Sequence, residues 1–123
     1  DSLWESAEKT SDDILSRLAI VPLVLEARDL DTTPGAINKL SATGDTKAAR
    51  ILKIIGEEEI SNVATGVRWF HHIGKSRELE PASTFQLLVK SQFNGFLKPP
   101  FATNARTLAG FPRFYCEPLS KLH

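Results

Sequence analysis

Two carboxylates and an amide sit where apolar side chains are expected. Ala48, Leu52, Ile55, Glu59, Asn62, Gly66, Trp69 and Ile73 recur at alternating intervals of four and three. That spacing puts all eight on one face of a single helix. Six are apolar, small or aromatic, as a packed seam requires; Glu59 and Asn62 interrupt it. An ionised carboxylate buried in such a seam is costly unless a cation or a hydrogen-bond donor answers it. A second acid repeats the pattern. Ser16 to Arg28 reads SRLAIVPLVLEAR, apolar nearly all round from Leu18 to Leu25. A helical projection places Glu26 on the face shared by Leu15, Leu18, Ala19 and Pro22. Inward-pointing acids on paired helices are the donors from which a metal site in a bundle core is built. The plainer alternative is a buried acid paired with an arginine or a backbone amide, and Asn62 reads equally as a core amide that fixes helix register.

Other reactive residue types carry less. His71 and His72 follow Trp69 and Phe70, but they lie roughly 120° and 220° around the helix from Glu59. They are expected to be solvated or to serve a helix end. Glu57 and Glu58 precede Glu59 but miss the seam, and read as a solvated face. Cys116 has no histidine beside it, which leaves a nucleophile reading weak. No phosphate loop, zinc spacing or Ser-His-Asp arrangement is present.

The elements that must position these groups are helices. Ser2 and Glu5 form a capping box for a first helix running to about Arg28, with a break near Thr10 to Asp12 and a kink at Pro22. Asp29 to Thr33 is predicted to turn. Thr33 and Pro34 then start a short helix that stops at Gly44. Asp45 caps the long helix carrying the heptad stripe, which ends near Gly74. Pro81 opens another, with Phe85, Leu88, Val89, Phe93 and Phe96 facing the core and Pro99 and Pro100 ending it. Beyond Phe101 the chain reads as irregular, with a helical turn around Asn104 to Leu108. The fold class is therefore all-α, with a helical region over residues 1–98 and an irregular tail over 99–123. Two helices of about 28 residues would each span about 42 Å, a length that suits a bundle.

Composition narrows the classes. At 123 residues the chain is one domain or a large part of one. Fifteen basic residues balance fifteen acidic ones, so no charge asymmetry advertises nucleic acid. No apolar run approaches the roughly 20 residues of a membrane span. The single cysteine, Cys116, forbids an internal disulfide and fits an intracellular, reducing compartment, a cytoplasm or organelle matrix. A chain that starts at Asp1 and contains no methionine reads as a processed chain or a fragment.

Three stretches carry a family likeness: VPLVLEARDLDTTPG (Val21 to Gly35), the Gly44-Asp45 pair, and EEISNVATGVRWF (Glu58 to Phe70). Together they resemble a ferritin-like family of unknown function whose members show LEARGLDVTP and DE-x-x-HV-x-x-G-x-RWF motifs. LWESAEKT at the start is similar to that family's middle region, so the likeness runs from Leu3 to about Phe111. The resemblance implies a ferritin-like four-helix bundle of which this chain is the second half. It implies a carboxylate site for two metal ions, iron or manganese, with Glu26 and Glu59 as ligands. Asn62 stands where the family places histidine, and Arg28 and Arg68 are implied to pair around the acids. An amide is a poor replacement for imidazole on iron. A homodimer would assemble four carboxylates and no imidazole, which favours magnesium, calcium or manganese.

Two functions follow. One is a non-haem di-iron type oxidoreductase, completed by the missing N-terminal half, a homodimer or another subunit. The other is a non-catalytic structural or docking subunit of a larger assembly with the metal site lost. Its aromatic end (Phe93, Phe96, Phe101, Phe111, Phe114, Tyr115) would then lie over a neighbour.

Overall fold

A computed structural model describes residues 13–120. The capping box at Ser2 and Glu5 and the break near Thr10 to Asp12 lie outside the described residues. The first described helix, α1 (Ile14–Ile20), is capped by Asp13, whose carboxylate accepts from the Leu15 amide at 3.1 Å and the Ser16 hydroxyl at 3.0 Å. It runs without interruption into a π-helical turn, Val21–Glu26, and then into α2 (Ala27–Ala42). Pro22 brings no amide hydrogen to the ladder, so the chain inserts a residue. The Ala27 N–H reaches back five residues to the Pro22 carbonyl. The predicted kink is thus a wide turn inside a continuing helix.

The predicted turn at Asp29 to Thr33 does not occur. Helix α2 passes through it and carries Pro34 in its interior. An internal proline disturbs the turn before it. Here the Thr33 hydroxyl donates to the Asp29 carbonyl at 2.6 Å, and the Thr32 hydroxyl lies 3.4 Å from the Arg28 carbonyl. The carbonyl that loses its donor to Pro34 is that of Leu30; these hydroxyls back-bond the carbonyls before it, and the helix continues through the proline. It stops where predicted. Gly44 has φ 83°, which only glycine adopts at little cost, and the Asp45 amide bonds the Leu40 carbonyl at 2.9 Å.

Asp45 then caps α3 (Thr46–Ser76), accepting from the Ala48 amide at 3.1 Å. Helix α4 (Pro81–Gln92) is capped by Glu80 and ends earlier than predicted, because Phe93 is already extended. A short α5 (Thr103–Leu108) and two 3-10 turns, Arg113–Tyr115 and Glu117–Leu119, complete the chain. The protein is an all-α helical bundle. Among the described residues the sole bridge of strand type joins Leu97 and Ser120. No described helix is long and apolar enough to cross a membrane.

Two features of the core depart from the sequence pattern. The buried line of α3 is Ala49, Val63, Gly66, Val67, Phe70 and Gly74, rotated from the predicted seam. Ile55 and Trp69 are 50% and 54% exposed, and Asn62 is exposed. Second, Phe111, Tyr115, Cys116 and Leu119 are buried in the main core with Phe70 and Phe85. Phe111 and Tyr115 of the aromatic end thus pack on the chain's own helices, whereas Phe96 and Phe114 are 60% and 58% exposed. Phe111 meets Phe85 edge-on, with ring centroids 5.3 Å apart. Phe96, predicted to face the core, is 60% exposed.

Pro22 seats directly on α3. A Cβ added at Gly66 would lie 2.7 Å from the Pro22 Cβ and 2.8 Å from its Cγ. Helix propensity favours alanine over glycine by about 1 kcal/mol, but overpacking against a rigid ring costs about 1–3 kcal/mol. Gly66→Ala is therefore expected to lower stability in urea denaturation. Gly35→Ala, on exposed α2 with nothing within 4 Å of the new methyl, is expected to raise it by up to about 1 kcal/mol. Equal effects at the two glycines would refute the close approach.

Candidate functional site

The π turn ends at Glu26, and α3 presents Glu59 near its midpoint. Both carboxylates are partly exposed. Burial raises the Glu59 carboxyl above the ordinary carboxylate range; the charges of Glu26 and Asp29 raise it further, and a hydrogen bond with Asn62 opposes the rise. Burial and then Asp29 raise Glu26 in the same way. The fold thus gathers Glu26, Glu59 and Asn62, and adds Asp29, which the sequence pattern had assigned to a turn. These donors are all oxygens. Among the described residues, no group of three or more His, Cys, Asp or Glu side chains is arranged to hold a metal ion.

The two arginines expected around the acids are engaged elsewhere. Arg28 donates to the Lys98 carbonyl at 2.8 Å and lies 3.8 Å from Asp31. Arg68 is exposed and donates to the Thr65 hydroxyl at 3.1 Å. His71 is not solvated as expected: its Nε2 lies 2.7 Å from the Tyr115 hydroxyl, and the two rings stack. His72 is exposed and stands edge-on to Trp69.

A second cluster was missed in the sequence. The Asp31 carboxylate accepts from Arg106 Nη2 at 2.7 Å and Nε at 2.9 Å, and from the Ala102 amide at 2.7 Å. Arg106 Nη1 lies 3.2 Å from the Cys116 sulfur. Its guanidinium stands over the Phe101 ring at 4.8 Å. The signal was available: Asp31 falls one turn after Ala27 on the buried side of α2. The predicted turn hid it. Burial pushes the Cys116 thiol up to about 11, against the pull of Arg106. A thiol held so high is a structural group rather than a nucleophile.

Removing one partner of a buried pair leaves the other charge uncompensated. Asp31→Ala is expected to cost about 3–5 kcal/mol in chemical denaturation. Cys116 is expected to resist a thiol reagent at pH 8 in the native protein and to react on unfolding. Rapid native labelling would contradict the burial described.

Comparisons with known proteins bear on the whole chain. The model of a family described as protein of unknown function (DUF455) matches residues 1–117. An uncharacterised protein of Haemophilus influenzae is 41% identical over 109 residues, which are 89% of this chain and 38% of the relative. The chain thus matches well under half of that relative's length. No solved structure matches.

Proposed function

We propose that this chain, which belongs to the DUF455 family, is the second half of a ferritin-like four-helix bundle whose acid-bearing face is closed by further helices. The observation that carries this reading is the mutual repulsion of Glu26, Asp29 and Glu59 beside an uncovered apolar strip on α3. Ile51, Ile55 and Trp69 are each at least half exposed there. A face that holds both unneutralised acid and exposed isoleucine is suited to a partner that answers both. The Haemophilus relative carries additional chain outside the match that could supply it; a homodimer or another subunit would serve the same geometry. The lone, buried Cys116 supports placing this protein in a reducing compartment.

The donors present do not fit a di-iron centre. Asn62 replaces imidazole, and the carboxylates alone do not complete a ligand set, so no oxidative step is assigned to this chain. They suit a share of a hard divalent site, magnesium, calcium or manganese, in which the ion neutralises the acids. The second reading, a docking subunit without metal, is favoured by the exposed position of Asn62.

Protonation separates the two. Glu59 titrates above its ordinary 4.5 in the folded protein, so the folded state holds the proton more tightly than the unfolded chain. Stability is then highest below 4.5 as far as this group decides it, and falls as pH rises through the elevated folded value. Glu59→Gln is expected to raise the melting temperature at pH 7 and flatten that dependence. Added Mn²⁺ should raise the melting temperature of the wild type and leave Glu59→Gln unmoved. A stabilised variant with no response of the wild type to Mn²⁺, Mg²⁺ or Ca²⁺ would remove the cation site and leave the docking reading.

A further inference from the structure

The pairing of Asp31 with Arg106 borders a half-enclosed pocket of about 240 Å³. Its walls are apolar, with Leu23, Val24, Phe93 and Phe101 prominent, and Phe96 stands exposed at its rim. Arg28, Lys98 and Arg106 line it together with one carboxylate, Asp31. Three cations thus face one acid. The Asp31 oxygens are already taken by Arg106 and the Ala102 amide. Arg106 is spent on Asp31 and Cys116. Arg28 is different. Its Nη1 donates to the Lys98 carbonyl and lies 3.8 Å from Asp31, and among the described residues no acceptor is within hydrogen-bond distance of its Nη2 and Nε, on a partly exposed guanidinium at the rim.

We propose that this pocket binds a small monocarboxylate with an aromatic or branched apolar body. The carboxylate is received by Arg28, whose fork of N–H groups matches its two oxygens. The apolar end fills the space between Leu23, Phe93 and Phe101. Size restricts the class: a cavity of about 150 Å³ accommodates one benzene ring, so this one holds a single ring with a short arm. The excess positive charge selects an acid over a neutral analogue. The pocket is lined by the π turn, α2, the segment after α4 and Arg106 of α5, with no residue from α3. The exposure of Phe96, unexplained by the core, is what an aromatic rim residue of such a site requires.

The test is an amide-resolved NMR titration of the isotope-labelled protein with 3-phenylpropionate and, separately, with neutral 3-phenylpropanamide. Saturable shifts at Leu25, Arg28, Phe96 and Lys98 are expected for the acid, with the amide at least about tenfold weaker. Arg28→Gln should weaken the acid by a similar factor and leave the amide unchanged. The comparison of the two ligands on the wild type stands even if that variant folds poorly. No saturable shift, shifts centred on Ile55 and Trp69 instead, or equal binding of acid and amide would each overturn the proposal.

Discussion

The Asp31 carboxylate and the Arg106 guanidinium, with side chains 1% and 4% exposed, join positions 75 residues apart. Taking both charges out of water costs several kcal/mol each, so the pair contributes little net stability over an apolar substitute. Its value is direction. Burial of Phe111 and Leu119 is non-directional and would tolerate several placements of the C-terminal segment. Two parallel N–H to oxygen bonds tolerate one. Around that fixed point Phe101 stacks on the guanidinium, Cys116 takes its third nitrogen, and the Ala102 amide closes the remaining acceptor. The floor of the apolar pocket and the burial of the last 3-10 turns both depend on this placement.

A second constraint sets the opposite face. Pro22 cannot donate, the helix answers with a π turn, and the proline ring is received by the bare backbone of Gly66. A side chain at position 66 would press on that ring. Ala19, Leu23, Ala27 and Leu30 form one buried line that passes through the turn. Glu26 is left half-buried at the junction, where its charge is felt by Glu59. The acid is positioned by a proline's missing proton and a glycine's missing side chain.

Helix ends were legible in the sequence because their chemistry is local. Asp45 as a cap, Gly44 as a stop and Pro81 as a start each depend on neighbours within four residues. The turn predicted at Asp29 to Thr33 failed because Pro34 and the polar run signal a break by composition, whereas the helix runs on through the proline, anchored on its buried side by Ala27 and Leu30. The acids Glu26 and Glu59 stood out because a carboxylate in an apolar stripe is visible by spacing, and in the fold their charges act on one another. Arg106 was not. Nothing within reach of it in sequence announces a partner 75 residues away, and an arginine in an irregular stretch reads as solvated.

The misplaced seam of α3 carries a further lesson. Its pattern merges two faces: one packed line through Val63 and Phe70, and one open strip through Ile51, Ile55 and Trp69. A helix with two apolar faces is shaped for neighbours on both sides. Covering three half-exposed side chains yields about 2–5 kcal/mol, whereas bringing a separate molecule onto them costs about 4–15 kcal/mol in lost freedom. The strip alone is therefore too weak to recruit a free partner of its own size. A tethered segment faces a far smaller entropic cost, since linkage converts the encounter into an intramolecular one. Neutralising this acidic cluster in the same step would add to the gain, because the repulsion felt by Glu26 and Glu59 is relieved by any cation or donor placed among them. A cover joined to this chain would therefore need less from the strip than a freely diffusing subunit, and the acids beside the strip would lie within the surface it contacts.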